Sequence, residues 1–372
     1  MYIRPNRHVL IDKTLVLGTA AYAAPQSANK SLGGLEPRPA DRYAYGHTIL
    51  YELDFTATPA GGAADCPPET LVQVLKSVFL SYGGGIQRRN NLSGLNIVRL
   101  SQQCDENLGP DVVDSYLPIV ALVAGGGPQA VHLCIVDPLG VQWPKRKRGR
   151  KTGLIPLSAL AEGADFKVTC IGVAAIMAGW TIADIDLKVT LLTTESDEPL
   201  EHVEVHEEFQ DYSTSEALLP GLGDRLYSCI LVTDDEDADF TQPTAFSMTV
   251  DGATILSQRK GDDLVVEEDI GRQVGINDVF PVVCPIVTPT GRDLDEMLPV
   301  RNKIKLNDVN GAHAGNYGVL VRYSKKLPRN TQRKLQLEHG VPAALVDRFL
   351  DKMEAAGAQE NIGRVTVAMR AS

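Results

Sequence analysis

Two stretches of this sequence share the same order of features, and that order limits the folds that the chain can adopt. Each combines a charged loop, a short turn with Leu and Pro, and a strand that is apolar at alternate positions. The first is residues 152–173, which follow the charged loop 145–151, and the second is residues 292–306. The alternating residues are Phe166, Val168 and Cys170 in the first stretch and Val300, Ile304 and Leu306 in the second. An element that occurs twice predicts two copies of one β-fold.

The first half of the chain reads as a series of strands. Period-two alternation or short apolar runs mark the segments 8–18, 47–58, 117–123, 130–136 and 181–194, and turn residues lie between them. Residues 92–102 fit a short helix or a strand, and residues 19–45 read as a loop or arm. With about eight strands and no long amphipathic helix between them, an all-β sandwich or barrel is predicted.

The same order of elements recurs in the second half. Residues 223–234 echo residues 47–58, with Tyr227 at the place of Tyr51. A strand, a Gly turn and a return at 245–256 echo the apolar run and Gly turn at 77–87. The repeated Leu-Pro element follows, and a last strand at 315–324 closes the series. Because chance matches need not keep their order, the recurrence favours a duplication.

The length of 372 residues suits two domains, each able to bury a core. We predict a first barrel, an acidic linker, a second barrel, and a helix with a tail, over residues 1–197, 198–217, 218–328 and 329–372. In the tail, apolar residues recur at three- and four-residue spacing up to Gly357, which predicts a helix that docks on its own barrel or on a neighbour. Its docking stripe includes Leu345, Phe349 and Met353.

Composition excludes several classes of protein. The net charge of −11 argues against a general nucleic-acid binder, because such proteins need a large basic surface. The six cysteines lie far apart and read as buried free thiols of a reducing compartment. The longest uncharged run, residues 168–183, is shorter than the roughly 20 residues that span a bilayer.

One strongly basic loop, KRKRGRK, stands out in this acidic chain. Its charged residues are Lys145, Arg146, Lys147, Arg148, Arg150 and Lys151. Three interpretations remain open: a contact with nucleic acid or anionic lipid, a contact with an acidic patch on a neighbouring subunit, or an exposed loop without a partner. The acidic stretches 195–208 and 234–239 are candidate partners in the second interpretation.

No local motif supports catalysis or a cofactor. His202 and His206 have the i, i+4 spacing of a zinc pair on a helix, but their segment alternates with Val and is not HExxH, so we expect no metal there. The carboxylates between Asp234 and Asp239 lack the Gly and the final Glu of an EF-hand. The Gly-rich stretches lack a P-loop Lys, and no GxSxG occurs. We therefore expect neither enzymatic activity nor a cofactor.

The order of the predicted strands resembles that of a known family, the double jelly-roll major capsid proteins of tailless icosahedral bacteriophages with an internal membrane. These bacteriophages form the tectivirus-like lineage. The segments that carry this resemblance include LYELDFTAT, VLKSVFLSYGGGI and TGLIPLSALAEGADFKVTCIGV in the first half, and RLYSCILVTD, FSMTVDGATI and EMLPVRNKIKL in the second. It spans residues 8–325 as a pattern of strands and turns.

This resemblance implies two eight-stranded jelly rolls in one chain and a homotrimer with pseudo-hexagonal outline that tiles an icosahedral shell. It further implies contacts with neighbouring capsomers, with penton or minor capsid proteins, and with an internal membrane, but with no specific nucleic acid. The protein would be made in the host cytoplasm and reside in the virion capsid. Two alternatives stay open from the residues: a carbohydrate-binding or adhesin tandem, and a cupin-like metalloprotein.

Overall fold

The computed structural model describes the chain in separate stretches, and all structural statements below concern these residues. They are 6–18, 25–31, 43–82, 86–104, 121–139, 141–142, 151–152, 154–157, 164–196, 204–212, 216–220, 225–234, 246–259, 284–287, 298–300, 303–308, 317–325 and 347.

Strands dominate both halves. The first half contains β1 (Asn6–Val16), β2 (Gln26–Ser31), β3 (Tyr43–Pro59), β4 (Leu75–Tyr82), β5 (Ile86–Leu92), β6 (Gln129–Pro138), β7 (Val141–Gln142), β8 (Lys151–Thr152), β9 (Ile155–Pro156), β10 (Asp165–Cys170), β11 (Trp180–Ile182) and β12 (Asp184–Ser196). Its helices are α1 (Pro68–Val72), α2 (Gly94–Cys104) and a 3-10 turn at Val173–Ala175. The second half contains β13 (Glu204–Tyr212), β14 (Glu216–Pro220), β15 (Arg225–Asp234), β16 (Phe246–Val250), β17 (Ala253–Arg259), β18 (Cys284–Val287), β19 (Leu298–Val300), β20 (Lys303–Asp308) and β21 (Tyr317–Lys325).

The two halves have the same sheet topology. In the first half, one sheet runs β1-β12-β3-β6 and the other runs β2-β10-β4-β5. In the second half, the corresponding sheets run β13-β21-β15-β18 and β14-β20-β16-β17. When the eight principal strands of each half are numbered along the chain, both halves give the orders 1-8-3-6 and 2-7-4-5. Two four-stranded antiparallel sheets with these crossed connections form a jelly roll, so the chain holds two of them.

The repeated Leu-Pro element occupies the same place in both rolls. β9 pairs with the first residues of β3, opposite Tyr45 and Gly46, and β19 pairs with the first residues of β15, opposite Arg225 to Tyr227. The main partner on that side, β6 or β18, follows further along the same strand. This equivalence confirms that the two stretches are one element used twice.

The structure corrects the register predicted between β3 and β15. Each strand has a bulge, at His47 in β3 and at Ser228 in β15, and the ladders around the two bulges match. On this register Tyr227 corresponds to Gly46, so its predicted equivalence with Tyr51 is wrong by five residues. A shift by an odd number of residues exchanges the two faces of a strand. The consecutive apolar residues Cys229 to Val232 do not show in the sequence which face of β15 is the inward one, so they left the register undetermined.

Two segments differ from their sequence-based assignments, and the structure decides a third that the sequence left open. β2 lies inside the predicted loop 19–45, because its polar sequence QSANKS is ordered by pairing with β10 and not by an apolar pattern of its own. Residues 92–102, which fit a helix or a strand, form most of α2. In residues 121–123, Leu122 makes an isolated bridge with Cys66 where a longer strand was predicted.

The core of the first roll lies between its two sheets. Tyr51 on β3 and Phe166 on β10 are both buried and stack with their ring centroids 6.4 Å apart and their planes 24° apart. An aromatic pair of this kind adds about 1 kcal/mol beyond the area that it buries. Cys170 is buried close by on β10, and burial raises the pKa of its thiol to about 12, as expected of an unreactive buried cysteine.

Helix α2 begins where the chain passes very close to α1. The hydroxyl of Ser93 accepts a hydrogen bond from the backbone N–H of Asn96 at 3.2 Å, which caps the first turn. A Cβ atom on Gly94 would lie 2.2 Å from the carbonyl oxygen of Val72 and 3.0 Å from side-chain atoms of Leu75 and Ile135. Only glycine fits at this crossing.

We therefore predict that Gly94→Ala destabilises the protein by about 1–3 kcal/mol, because the added methyl group overpacks a closed contact with backbone. The matched control is Gly61→Ala, since no atom lies within 4 Å of the added Cβ and the backbone there is not left-handed. We expect that control to change the free energy of unfolding by less than about 0.5 kcal/mol. Urea denaturation followed by circular dichroism measures both, and equal midpoints would contradict the prediction.

Candidate functional site

The most unusual chemistry of the molecule lies where the two rolls meet. β5 of the first roll pairs in parallel with β13 of the second, so that one continuous sheet runs through both rolls. A cluster of five charged residues, each no more than 2% exposed, lies at this joint. Its members are Arg88 and Arg89 on β5, Asp137 on β6, Glu207 on β13 and Arg322 on β21. We call this set the joint cluster.

Glu207 is the centre of the joint cluster. Its Oε1 lies 3.2 Å from Nη1 of Arg88 and accepts a hydrogen bond from Nε of Arg322, and its Oε2 contacts Nη1 of Arg89. Two of these arginines belong to the first roll and one to the second. A single carboxylate of the second roll thus holds guanidinium groups from both rolls.

Asp137 connects the joint cluster to the core of the first roll. Arg89 donates two hydrogen bonds to Asp137, from Nε to Oδ2 at 3.1 Å and from Nη2 to Oδ1. The hydroxyl of Tyr51 donates a third hydrogen bond, to Oδ2, at 3.1 Å. Arg88 and Arg89 also donate to the carbonyl oxygens of Leu139, at 2.6 Å, and Pro138, at 3.2 Å. The guanidinium groups are therefore fixed on the β6 side as well as by Glu207.

Burial shapes the electrostatics of this site. Burial, followed by the positive charges of Arg89 and Arg322, lowers the pKa of Arg88 well below its ordinary value. Burial, followed by the charge of Asp137, raises the pKa of Tyr51 well above its ordinary value. Three cations share two carboxylates, and loss of either carboxylate would leave buried positive charge without compensation.

The joint cluster corrects the interpretation of residues 198–217 as a solvated acidic linker. Residues 204–212 form β13, in which Val205 and Glu207 are buried and Phe209 packs against the core. The alternation of these residues with polar ones is the signal of a strand with one inward face. The high acidic content of the segment concealed this alternation. The adjacent arginines in the β5 sequence IQRRNNL were a second signal, of buried charge, that the sequence analysis did not use.

The sequence-predicted site residues do not join this cluster where the structure describes them. His206 lies on β13 with its ring stacked on Tyr323 at 5.0 Å, so the helical spacing considered for a zinc pair does not hold at this residue. Asp234 is the last residue of β15, and Lys151 begins β8 opposite Gln142. The other predicted site residues lie outside the described residues: His202, Asp235, Glu236, Asp237, Asp239, Lys145, Arg146, Lys147, Arg148, Arg150, Leu345, Phe349 and Met353.

Metal-binding groups and membrane-spanning helices are both absent from the stretches that the structure describes. Within them, no group of three or more His, Cys, Asp or Glu side chains is placed to hold a metal ion. Among the same residues, no helix combines the length and the apolar character that crossing a bilayer requires.

Comparison with solved structures finds this fold in viral proteins. The crystal structure of the STIV major capsid protein matches with a TM-score of 0.52 and 13% identity, over 86% of this chain and 96% of that one. A chain in the atomic structure of Sulfolobus Turreted Icosahedral Virus matches with a TM-score of 0.56 and 12% identity, over 96% of this chain and 98% of that one. No protein-family model and no curated protein matches the sequence.

At such identities the likeness concerns the fold alone. It confirms the predicted fold class: the chain is an all-β protein with two tandem jelly rolls. The match covers nearly the whole length of both solved chains, so it includes the pairing of two rolls and not merely a single barrel. Neither the carbohydrate-binding alternative nor the metalloprotein alternative gains support from it.

We predict that Glu207→Gln lowers the free energy of unfolding by about 3–5 kcal/mol, because it leaves three buried guanidinium groups with one carboxylate. The matched control is Glu216→Gln, which removes an exposed ion pair with Lys305 at 2.7 Å. That change should cost less than about 1 kcal/mol. Urea unfolding followed by tryptophan fluorescence separates the two, and a midpoint for Glu207→Gln equal to that of the control would refute the central role of this carboxylate.

Proposed function

We propose that this protein is a viral major capsid protein, which assembles as pseudo-hexagonal homotrimers into an icosahedral shell. The observation that carries the proposal is the arrangement of two jelly rolls in one chain, which matches major capsid proteins over nearly their whole length. The internal repeat, which is visible in the sequence, supports it independently of any comparison.

The geometry of the chain suits a shell. Each copy presents two similar rolls fixed side by side, so three copies around an axis bring six similar rolls into one ring. A ring needs heterologous contacts, in which a surface of one copy meets a different surface of the next, and closes when the rotation between copies divides a full turn. Two rolls rigidly joined in one chain make such a rotation reproducible.

Several finer points belong to the same proposal. The partners would be further copies of this chain in the same and neighbouring capsomers, with penton or minor capsid proteins and an internal membrane as additional contacts. The location would be the virion capsid, after synthesis in the host cytoplasm, and the role would be structural and without catalysis or cofactor. We place the boundary between the rolls between β12 and β13, inside residues 197–203.

Native mass spectrometry and negative-stain electron microscopy of the purified protein test this function. We expect a species of three times the 40.2 kDa chain mass, seen end-on as a threefold body with six barrel-sized lobes. A protein that remains monomeric up to high concentration and forms no larger assembly would overturn the proposal.

We further propose that the basic loop KRKRGRK contacts an acidic surface of a neighbouring subunit, and that the stripe with Leu345, Phe349 and Met353 docks a C-terminal helix. The support for the loop contact is charge: six cations stand in seven residues of a chain whose net charge is −11. The support for the helix is its apolar spacing.

The loop contact predicts an assembly that weakens with salt. Raising the ionic strength from about 0.15 M to about 1 M shortens the screening length from about 8 Å to about 3 Å, and should shift trimers or shells towards smaller species. The control replaces Lys147, Arg148 and Arg150 with Gln, which should weaken assembly at low salt and reduce its salt dependence. Equal assembly of the unmodified protein at both salt concentrations, measured by light scattering, would show that the loop makes no such contact.

A further inference from the structure

Among the residues that the structure describes, the two rolls meet along a parallel strand pair. Glu207 on β13 is the Cα partner of Arg89 on β5, and Glu208 is the partner of Asn90. β5 is the fifth principal strand of its roll, and β13 is the first of the other. In the stretches that the structure describes, β1 and β17 hold the remaining first and fifth positions, and each has one ladder partner. Each chain thus contains one complete joint and two separate halves of the same kind.

The bulges of the central strands align the two first strands residue by residue. Both rolls have a bulge near the start of the third principal strand, at His47 in β3 and at Ser228 in β15. The residues that follow, Thr48 and Cys229, are therefore equivalent. Their partners on the eighth principal strand are Leu192 on β12 and Arg322 on β21.

The same ladder extends one strand further, to β1 and β13. Leu192 pairs with Arg7, and Arg322 pairs with Glu207. Arg7 therefore occupies in the first roll the position that Glu207 occupies in the second. The sign of the charge is reversed at the position on which the joint cluster is centred.

The fifth strands align through their hairpins. The β4–β5 ladder skips Arg88, and the β16–β17 ladder skips Ile255, and both hairpins show a second register shift at the same distance beyond. The residues next to these bulges, Arg89 and Leu256, are equivalent. Where β5 carries two adjacent arginines, β17 carries two adjacent aliphatic residues.

These exchanges determine which strands fit together. Glu207 beside the arginine positions of β5 is compensated, whereas Arg7 at that place would bring a third cation to Arg88 and Arg89. Glu207 at the Leu256 position of β17 would be placed beside an aliphatic pair and lose those cations. Pairing β1 with β5, or β13 with β17, is therefore unfavourable. The correct pairs are selected by repulsion in the incorrect pairs as well as by attraction in the correct ones.

We propose that β1 of one copy docks in parallel against β17 of a neighbouring copy, and that Arg7 and Glu207 sort this joint from the joint inside the chain. The partner is a second copy of this chain, because the chain itself shows how a fifth strand receives a first strand. Val9 supports the assignment: it is 54% exposed, whereas Phe209, at the equivalent position of β13, packs against the core. The inference rests on the proposed function and names the strands that form its ring.

Engineered disulfides in the full chain test this joint. The register of the joint inside the chain places His8 of one copy opposite Ser257 of the next, so His8→Cys with Ser257→Cys should form disulfide-linked oligomers under mild oxidation. The matched control is Asn90→Cys with Glu208→Cys, a pair that is already opposite within one chain. It should form its disulfide without any change in mass on a non-reducing gel.

The outcomes separate this inference from the function. If the unmodified protein forms trimers but the His8→Cys/Ser257→Cys pair gives no more linked product than either single variant, the β1–β17 joint is wrong and the capsid function stands. If the unmodified protein forms no oligomer, both fall. Linked dimers and trimers at severalfold the single-variant level would support the joint.

A mismatched pair tests the sorting by charge. His8→Cys with Asn90→Cys should give little linked product after refolding from urea, because β1 must compete with β13 of the same chain for β5 and would bring Arg7 to the arginines there. Adding Arg7→Glu should raise that product severalfold. Mismatched linking as strong as that of the matched pair, with Arg7 unchanged, would overturn the sorting role while leaving the test of the joint unaffected.

Discussion

The two rolls depend on one buried carboxylate. Glu207 compensates guanidinium groups from both sides of the joint, and Arg88, Arg89 and Arg322 are all buried there. Ion pairs buried in this way add little net stability compared with apolar packing, but they are costly to break and they specify a partner. We infer that the joint cluster acts mainly on specificity, by favouring β13 as the strand that lies beside β5.

A duplicated fold makes such specificity necessary. Two rolls of the same topology present two similar first strands and two similar fifth strands, and their backbone groups alone would pair in any combination. Side chains at equivalent register positions distinguish them: Glu207 against Arg7, and arginines against aliphatic residues.

Much of the fold could be predicted because its signals are local. Alternation revealed most principal strands, and the repeated Leu-Pro element identified the duplication, since β9 and β19 occupy equivalent places. The failures were also physical. β2 has no apolar pattern and owes its conformation to β10, and the Tyr51–Tyr227 alignment ignored bulges that only the ladders reveal. The acidic character of residues 204–212 concealed a strand.

By itself, the sequence determined the fold class, the two copies and their order along the chain, because period-two patterns and turn residues act over a few residues. Only the tertiary structure decided where the rolls join and which charges are buried there. The charged residues of the joint lie far apart in the sequence: Arg88, Asp137, Glu207 and Arg322. Glu207 stands in an acidic segment, which the sequence alone predicts to be exposed to water. Burial of a charge depends on long-range packing, which no local pattern reports.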